Sequence, residues 1–158
     1  MREGTDPPRL ARHRGVVAWL RMLRYVSATN RESARRFRRL GLSTAQFDVL
    51  AQLAANPGLN QQQLAERLLV TQGNVSQLLR VLESRNLIAR ECRGRTNVLR
   101  LTPEGRRLAA QAVEEHETWL ADRLSVLSET ERRELAGLLG RLERRTRARE
   151  TDGGERER

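Results

Sequence analysis

The sequence predicts a mainly α-helical fold carrying one small β-hairpin. Three observations point there. Leucines and valines recur at helical spacing along most of the chain. Short polar capping residues stand immediately before those runs, and one pair of short extended segments is broken by a glycine at position 94. At 158 residues the chain has room for one domain. Apolar residues make up 38% and aromatics only 3%, so the core must be aliphatic, built mostly from Leu, Val and Ala.

Residues 1–12, with Pro7 and Pro8, read as a flexible arm. From residue 13 to 40, Val16, Val17, Trp19, Leu20, Leu23, Val26 and Phe37 form one helical stripe, and Gly41 supplies the left-handed residue that stops it. Ser43 with Gln46 three residues on is a capping box; the helix it opens turns Phe47, Val49, Leu50 and Leu53 inward and ends at Asn56-Pro57-Gly58. Asn60 with Gln63 opens a short helix that buries Leu64, Ala65 and Leu68. Thr71 opens a third, with Val75, Leu78, Leu79 and Leu82 as its apolar face, ending near Asn86, a residue suited to a left-handed cap.

Leu87–Arg90 and Asn97–Leu101 then read as the two strands of a hairpin, with Gly94 as its turn. Thr102-Pro103-Glu104 starts a long helix whose stripe runs through Leu108, Ala112, Val113, His116, Leu120 and Leu124. Ser128 and Glu131 make another capping box, opening a last helix with Leu135, Leu138, Leu139 and Leu142. Residues 13–149 are expected to form one domain, and 150–158 a disordered tail.

The formal net charge is +10, and all 30 basic residues are arginine. The excess is uneven: residues 1–40 hold 11 arginines against 3 acids, and residues 88–102 hold 4 against 1. These are the two candidate anion-facing stretches. Other functions fall away. One cysteine, Cys92, makes neither an internal disulfide nor a zinc site, and His13 and His116 lie in no metal-ligand spacing. No apolar run approaches the roughly 18–20 residues that span a bilayer, and the first residues lack the apolar core of a secretory signal. A soluble, cytoplasmic protein with no membrane partner and no cofactor is expected. Nor is an enzyme, since no nucleophile–base pair, metal constellation or phosphate-cradling glycine loop stands out.

A short helix, a tight turn, a second helix and then a hairpin make a winged helix-turn-helix, in which the second helix enters the major groove of DNA. Here that helix would show Gln72, Gly73, Asn74, Ser76 and Gln77, with Arg80 a turn later, behind the cap Thr71. Short amides and hydroxyls both donate and accept, as reading base edges requires; Asn and Gln suit adenine, and Arg suits guanine. Gly73 would let the backbone approach a phosphate. At the hairpin tip, Arg93 and Arg95 flank Gly94 and can reach an adjacent minor groove or its phosphates.

The runs Leu42–Leu50, Asn56–Ala65 and Thr71–Arg90, followed by Leu101-Thr102-Pro103-Glu104-Gly105, resemble the MarR family of bacterial transcriptional regulators, in order and over nearly the whole span from Trp19 to Leu142. The resemblance implies a homodimeric winged helix-turn-helix regulator, with repression the leading expectation, on a pseudo-palindromic operator in double-stranded DNA. It also implies release by a small-molecule effector in many members. Residues 13–40 and 103–149 would then supply the dimerisation helices around a DNA-binding unit at 42–102. Three departures stand out: Arg93-Gly94-Arg95 replaces an Asp-Arg-Arg wing element, Asn86 replaces a usual Gly, and Gln77 a frequent Arg.

The apolar rows of the first and last helices exceed what a small winged unit covers alone, which points to a second copy with its two recognition helices roughly 34–36 Å apart. Two alternatives use the same fold: a protein-docking winged helix, which would expose an apolar face at residues 71–85, and a nonspecific basic architectural protein, which needs no base-reading side chains. Cys92 among arginines has the setting of a reactive thiol, but an incidental small residue is the default. His116 reads as a core or pocket-wall histidine, and Trp19 and Met22 as pocket wall or dimer core.

Overall fold

Every helix after the first begins at a residue whose side chain caps it. The computed structural model describes residues 13–93 and 96–154. Its elements are α1 (Arg14–Arg39), α2 (Thr44–Ala55), α3 (Gln61–Leu68), α4 (Gln72–Ser84), β1 (Ile88–Arg93), β2 (Thr96–Leu101), α5 (Pro103–Arg123) and α6 (Glu129–Gly154). Ser43 and Gln46 close the box at the head of α2, with the Gln46 amide donating to Ser43 Oγ at 3.2 Å and the Ser43 amide to Gln46 Oε1 at 2.9 Å. Asn60 and Gln63 repeat it at α3, at 2.8 and 2.9 Å. Ser128 and Glu131 repeat it at α6. The Ser128 hydrogen bonds hold the Glu131 carboxyl below its ordinary value, so this cap stabilises the fold above the usual carboxylate range and weakens as pH falls through the lowered value.

Three helices end on a left-handed residue, and only one of these is glycine. Gly41 (φ 69°) follows α1, with the Leu42 amide donating to Phe37 O at 2.9 Å. Asn86 (φ 54°) follows α4, with the Leu87 amide donating to Leu82 O at 2.9 Å. Leu69 (φ 54°) follows α3, with the Val70 amide donating to Ala65 O at 3.1 Å. A leucine there holds a conformation that its Cβ opposes, and its side chain is 91% exposed.

These turns fold α2, α3 and α4 around one aliphatic core. Leu42, Val49, Leu50, Leu64, Val75, Leu79, Leu82 and Leu99 are fully buried in it. Phe37 brings in the end of α1, stacking on Phe47 at 4.0 Å between ring centroids. Half-burial of Asp48 on α2 pushes its carboxyl above the ordinary value, so ionisation opposes folding at neutral pH, a penalty relieved as pH falls.

The hairpin is antiparallel, with Ile88 opposite Leu101 and Arg93 opposite Thr96. It runs further than the sequence suggests: Glu91, Cys92 and Arg93 belong to the ladder, not to a loop. The expected turn at Gly94 lies outside the described residues. The segment before α3 adds to the sheet through the Leu99 amide, which donates to Leu59 O at 2.8 Å, and through a bridge between Asn60 and Val98.

The chain forms two compact units that divide after Glu114, within α5. In the second unit, half-buried His116 stacks on Trp119 at 5.5 Å, and α5 stops at Arg123, so Leu124 lies in the following turn and not on the helical stripe. The last helix continues to Gly154, where the sequence predicts a disordered tail from residue 150; residues 150–154 hold no proline, and their glycines come only at 153 and 154. The expected arm, 1–12, and residues 155–158 of the tail lie outside the described residues. No helix among the described residues is long and apolar enough to cross a membrane.

The structure gives α1 two different sides. Only Ser33 and Phe37 are buried on it, while Leu20, Leu23 and Val26 are exposed and Trp19 is 60% exposed. Adjoining that row, Arg14, Arg21, Arg24, Arg31, Arg35 and Arg38 are all exposed and, at about 100° per residue, share an arc of about 120°. On α6, Leu135, Leu138, Leu139 and Leu142 are exposed as well.

At the start of α5, a Cβ on Gly105 would lie 1.8 Å from the Leu87 carbonyl oxygen, so backbone packs on backbone there. Gly105→Ala is expected to destabilise the protein by at least about 2 kcal/mol, read as a lower denaturant midpoint.

Candidate nucleic-acid interface

The sealing of Val75, Leu79 and Leu82 fixes which side of α4 faces out. Gly73, Gln77 and Arg80 then fall within about 60° of one another on the opposite side, and all three are exposed. Gln72 and Asn74 flank them at the helix start and are exposed too, as is Thr71, whose hydroxyl accepts from the Asn74 amide at 3.4 Å. The first turn holds no acidic residue. The exposed ridge therefore presents two amides near the helix start, a third at Gln77 and a guanidinium at Arg80, beside the positive end of the helix dipole.

Ser76 differs from the rest of the expected set. It is half-buried at the edge of the ridge, and its hydroxyl accepts from Gln61 Nε2 at 2.6 Å. Gln61 also donates to the Gln72 carbonyl at 3.4 Å and accepts from Arg90 Nη1 at 3.2 Å. Arg90 in turn pairs through Nε with Glu83 Oε1 at 2.7 Å. Sequence reasoning passed over Gln61, Arg90 and Glu83. They lie on three different elements, and no spacing along the chain signals their meeting. On the other flank, Ala45, Val70, Asn74, Gln77, Leu78 and Val81 line a surface groove of about 360 Å³.

The hairpin stands beside this ridge, fastened to it by Arg90. Its backbone places Arg93 opposite Thr96 at the end of the ladder, and Glu91 pairs with Arg100 across the strands. Arg95 lies outside the described residues. Cys92 is exposed opposite Asn97. Among the described residues no group of three metal-capable side chains comes together.

Helix, turn, helix and a two-stranded wing define a winged helix-turn-helix protein. The MarR family model matches residues 40–95. An uncharacterized HTH-type transcriptional regulator of Bacillus cereus is 33% identical over 137 residues, covering 86% of this chain and 93% of the relative. A MarR family protein of Mycobacterium tuberculosis, solved in complex with DNA, is 30% identical with a TM-score of 0.65, covering 77% of this chain and 94% of that one. The Staphylococcus aureus MepR–DNA complex is 25% identical with a TM-score of 0.70, covering 78% and 94%. The chain belongs to the MarR family of transcriptional regulators.

A Cβ on Gly73 would meet nothing within 4 Å, so no packing inside the chain demands glycine there. Gly73→Ala is expected to stabilise the free protein by up to about 1 kcal/mol, measured by denaturant unfolding.

Proposed function

We propose that the protein is a repressor that binds a pseudo-palindromic operator in double-stranded DNA as a homodimer, with α4 in the major groove. The observation that carries this reading is the polar ridge of α4, turned outward by its sealed apolar side. Gln72, Asn74 and Gln77 are the amides that read base edges, and Arg80 is suited to guanine or to phosphate. Thr71 and the helix start hold the backbone, and Gly73 keeps Cβ atoms out of the contact. Arg93 and Arg95 of the wing reach the neighbouring minor groove or its phosphates. The relatives solved with DNA support binding to double-stranded DNA. Release by a small-molecule effector belongs to this reading through family membership.

The homodimer rests on the uncovered apolar rows. Leu20, Leu23 and Val26 of α1, and Leu135, Leu138, Leu139 and Leu142 of α6, are too large a set to leave in water. A second copy covers them and supplies the second recognition helix that a two-fold operator requires.

Gln77→Ala should weaken binding to a duplex selected by the wild-type protein from a randomised library by about tenfold. Binding to a scrambled duplex should change less than about twofold. Equal losses on the two duplexes would point to nonspecific, architectural binding. Replacing Leu135 and Leu139 together by arginine should convert dimers to monomers in sedimentation velocity; dimers that persist would remove α6 from the interface.

A further inference from the structure

We propose that Gln61 is a positioning residue that locks the wing to the recognition helix, so that base reading by α4 depends on a side chain outside α4. The inference rests on the reading of α4 as the base-reading helix and adds a residue with no assigned role in it.

The chemistry of the Gln61 amide matches its three neighbours. The Gln72 carbonyl only accepts, so it must face the NH2 end, and Nε2 donates to it at 3.4 Å and to Ser76 Oγ at 2.6 Å. The Arg90 guanidinium only donates, so it must face the carbonyl end, and it does so at 3.2 Å. One planar group at the first position of α3 thus holds the first turns of α4 on one side and strand β1 on the other. Arg90 is held a second time by Glu83, from the last turns of α4. The residue before Gln61 bridges β2 through Asn60 and Val98, so the start of α3 touches both strands of the wing.

The arrangement has a mechanical meaning. A two-stranded hairpin is marginally stable by itself; Ile88, Leu99 and Leu101 seat this one in the core, and the Gln61 chain adds a polar tie between β1 and α4. The Glu83–Arg90–Gln61–Ser76 chain ties β1 to the helix along which Gln72, Gln77 and Arg80 are arrayed. Wing and helix then meet DNA as one rigid body, and the entropy of aligning them is lost on folding and not on binding. Ser76 belongs to this chain and acts on DNA through it.

Gln61→Met keeps the length of the side chain and removes both polar ends. In the free protein, amide hydrogen exchange of β1 is expected to rise about tenfold, with α2 unchanged. Affinity for the selected duplex should fall about tenfold and affinity for a scrambled duplex by less than about twofold. Gln61→Glu keeps an acceptor for Arg90 but gives up the donor to the Gln72 carbonyl, and should show a partial loss; Ser76→Ala should show a smaller one in the same direction. Unchanged β1 exchange in Gln61→Met would overturn the proposal. So would equal losses on the two duplexes, or full retention of the preference for the selected duplex. Gln77→Ala, run alongside, separates the two readings. If it keeps the preference while Gln61→Met speeds β1 exchange, base reading by α4 fails and the wing coupling stands.

Discussion

Val75, Leu79 and Leu82 are completely sealed in the aliphatic core, and that burial determines what the rest of the molecule presents to its surroundings. A helix with three buried positions on one side has no freedom to rotate, because a turn of even one residue would expose leucine and bury glutamine. The cost of that exchange is several kcal/mol, far more than any surface contact of α4 returns. The polar ridge is therefore a by-product of apolar packing. Leu64 from α3 and Leu50 from α2 close the same core, and Leu99 brings the wing into it. One packed centre thus orients helix, brace and wing together.

Much of this was legible in the sequence because the local signals are strong. The boxes at Ser43, Asn60 and Ser128 announce helix starts within one turn, since each satisfies its own backbone donors with side chains three residues away. Gly41 and Asn86 mark stops for the same reason, and both adopt the left-handed geometry expected of them. Leu69 gives no such signal. It takes that geometry where the Val70 amide closes back on the Ala65 carbonyl at the end of α3, against its own local preference. The hairpin is longer than its sequence announces, since a run such as Glu91-Cys92-Arg93 has no alternation to separate ladder from loop. Gly105 was visible within a family motif, but its reason, the Leu87 carbonyl against its Cα, is a contact between distant segments.

The candidate site divides along the same line. Residues that face out from a single helix, such as Gln72, Asn74, Gln77 and Arg80, follow from periodicity once the buried face is known. Ser76 sits on the same helix by sequence yet spends its hydroxyl on Gln61, a partner fifteen residues away. Interactions of that kind depend on how three elements dock, so pattern reading cannot reach them. The exposed apolar rows of α1 and α6 are the reverse case. Their spacing shows plainly in the sequence, and in the single chain these side chains stay exposed.

The arginine-lined side of α1 has a consequence for how its charge can be altered. The positive charge of that side comes from guanidinium groups alone, and the chain contains no lysine whose charge acetylation could remove. The positive charge along α1 is thus closed to that modification. Dissolved ions still tune it, with a reach of about 8 Å at physiological ionic strength.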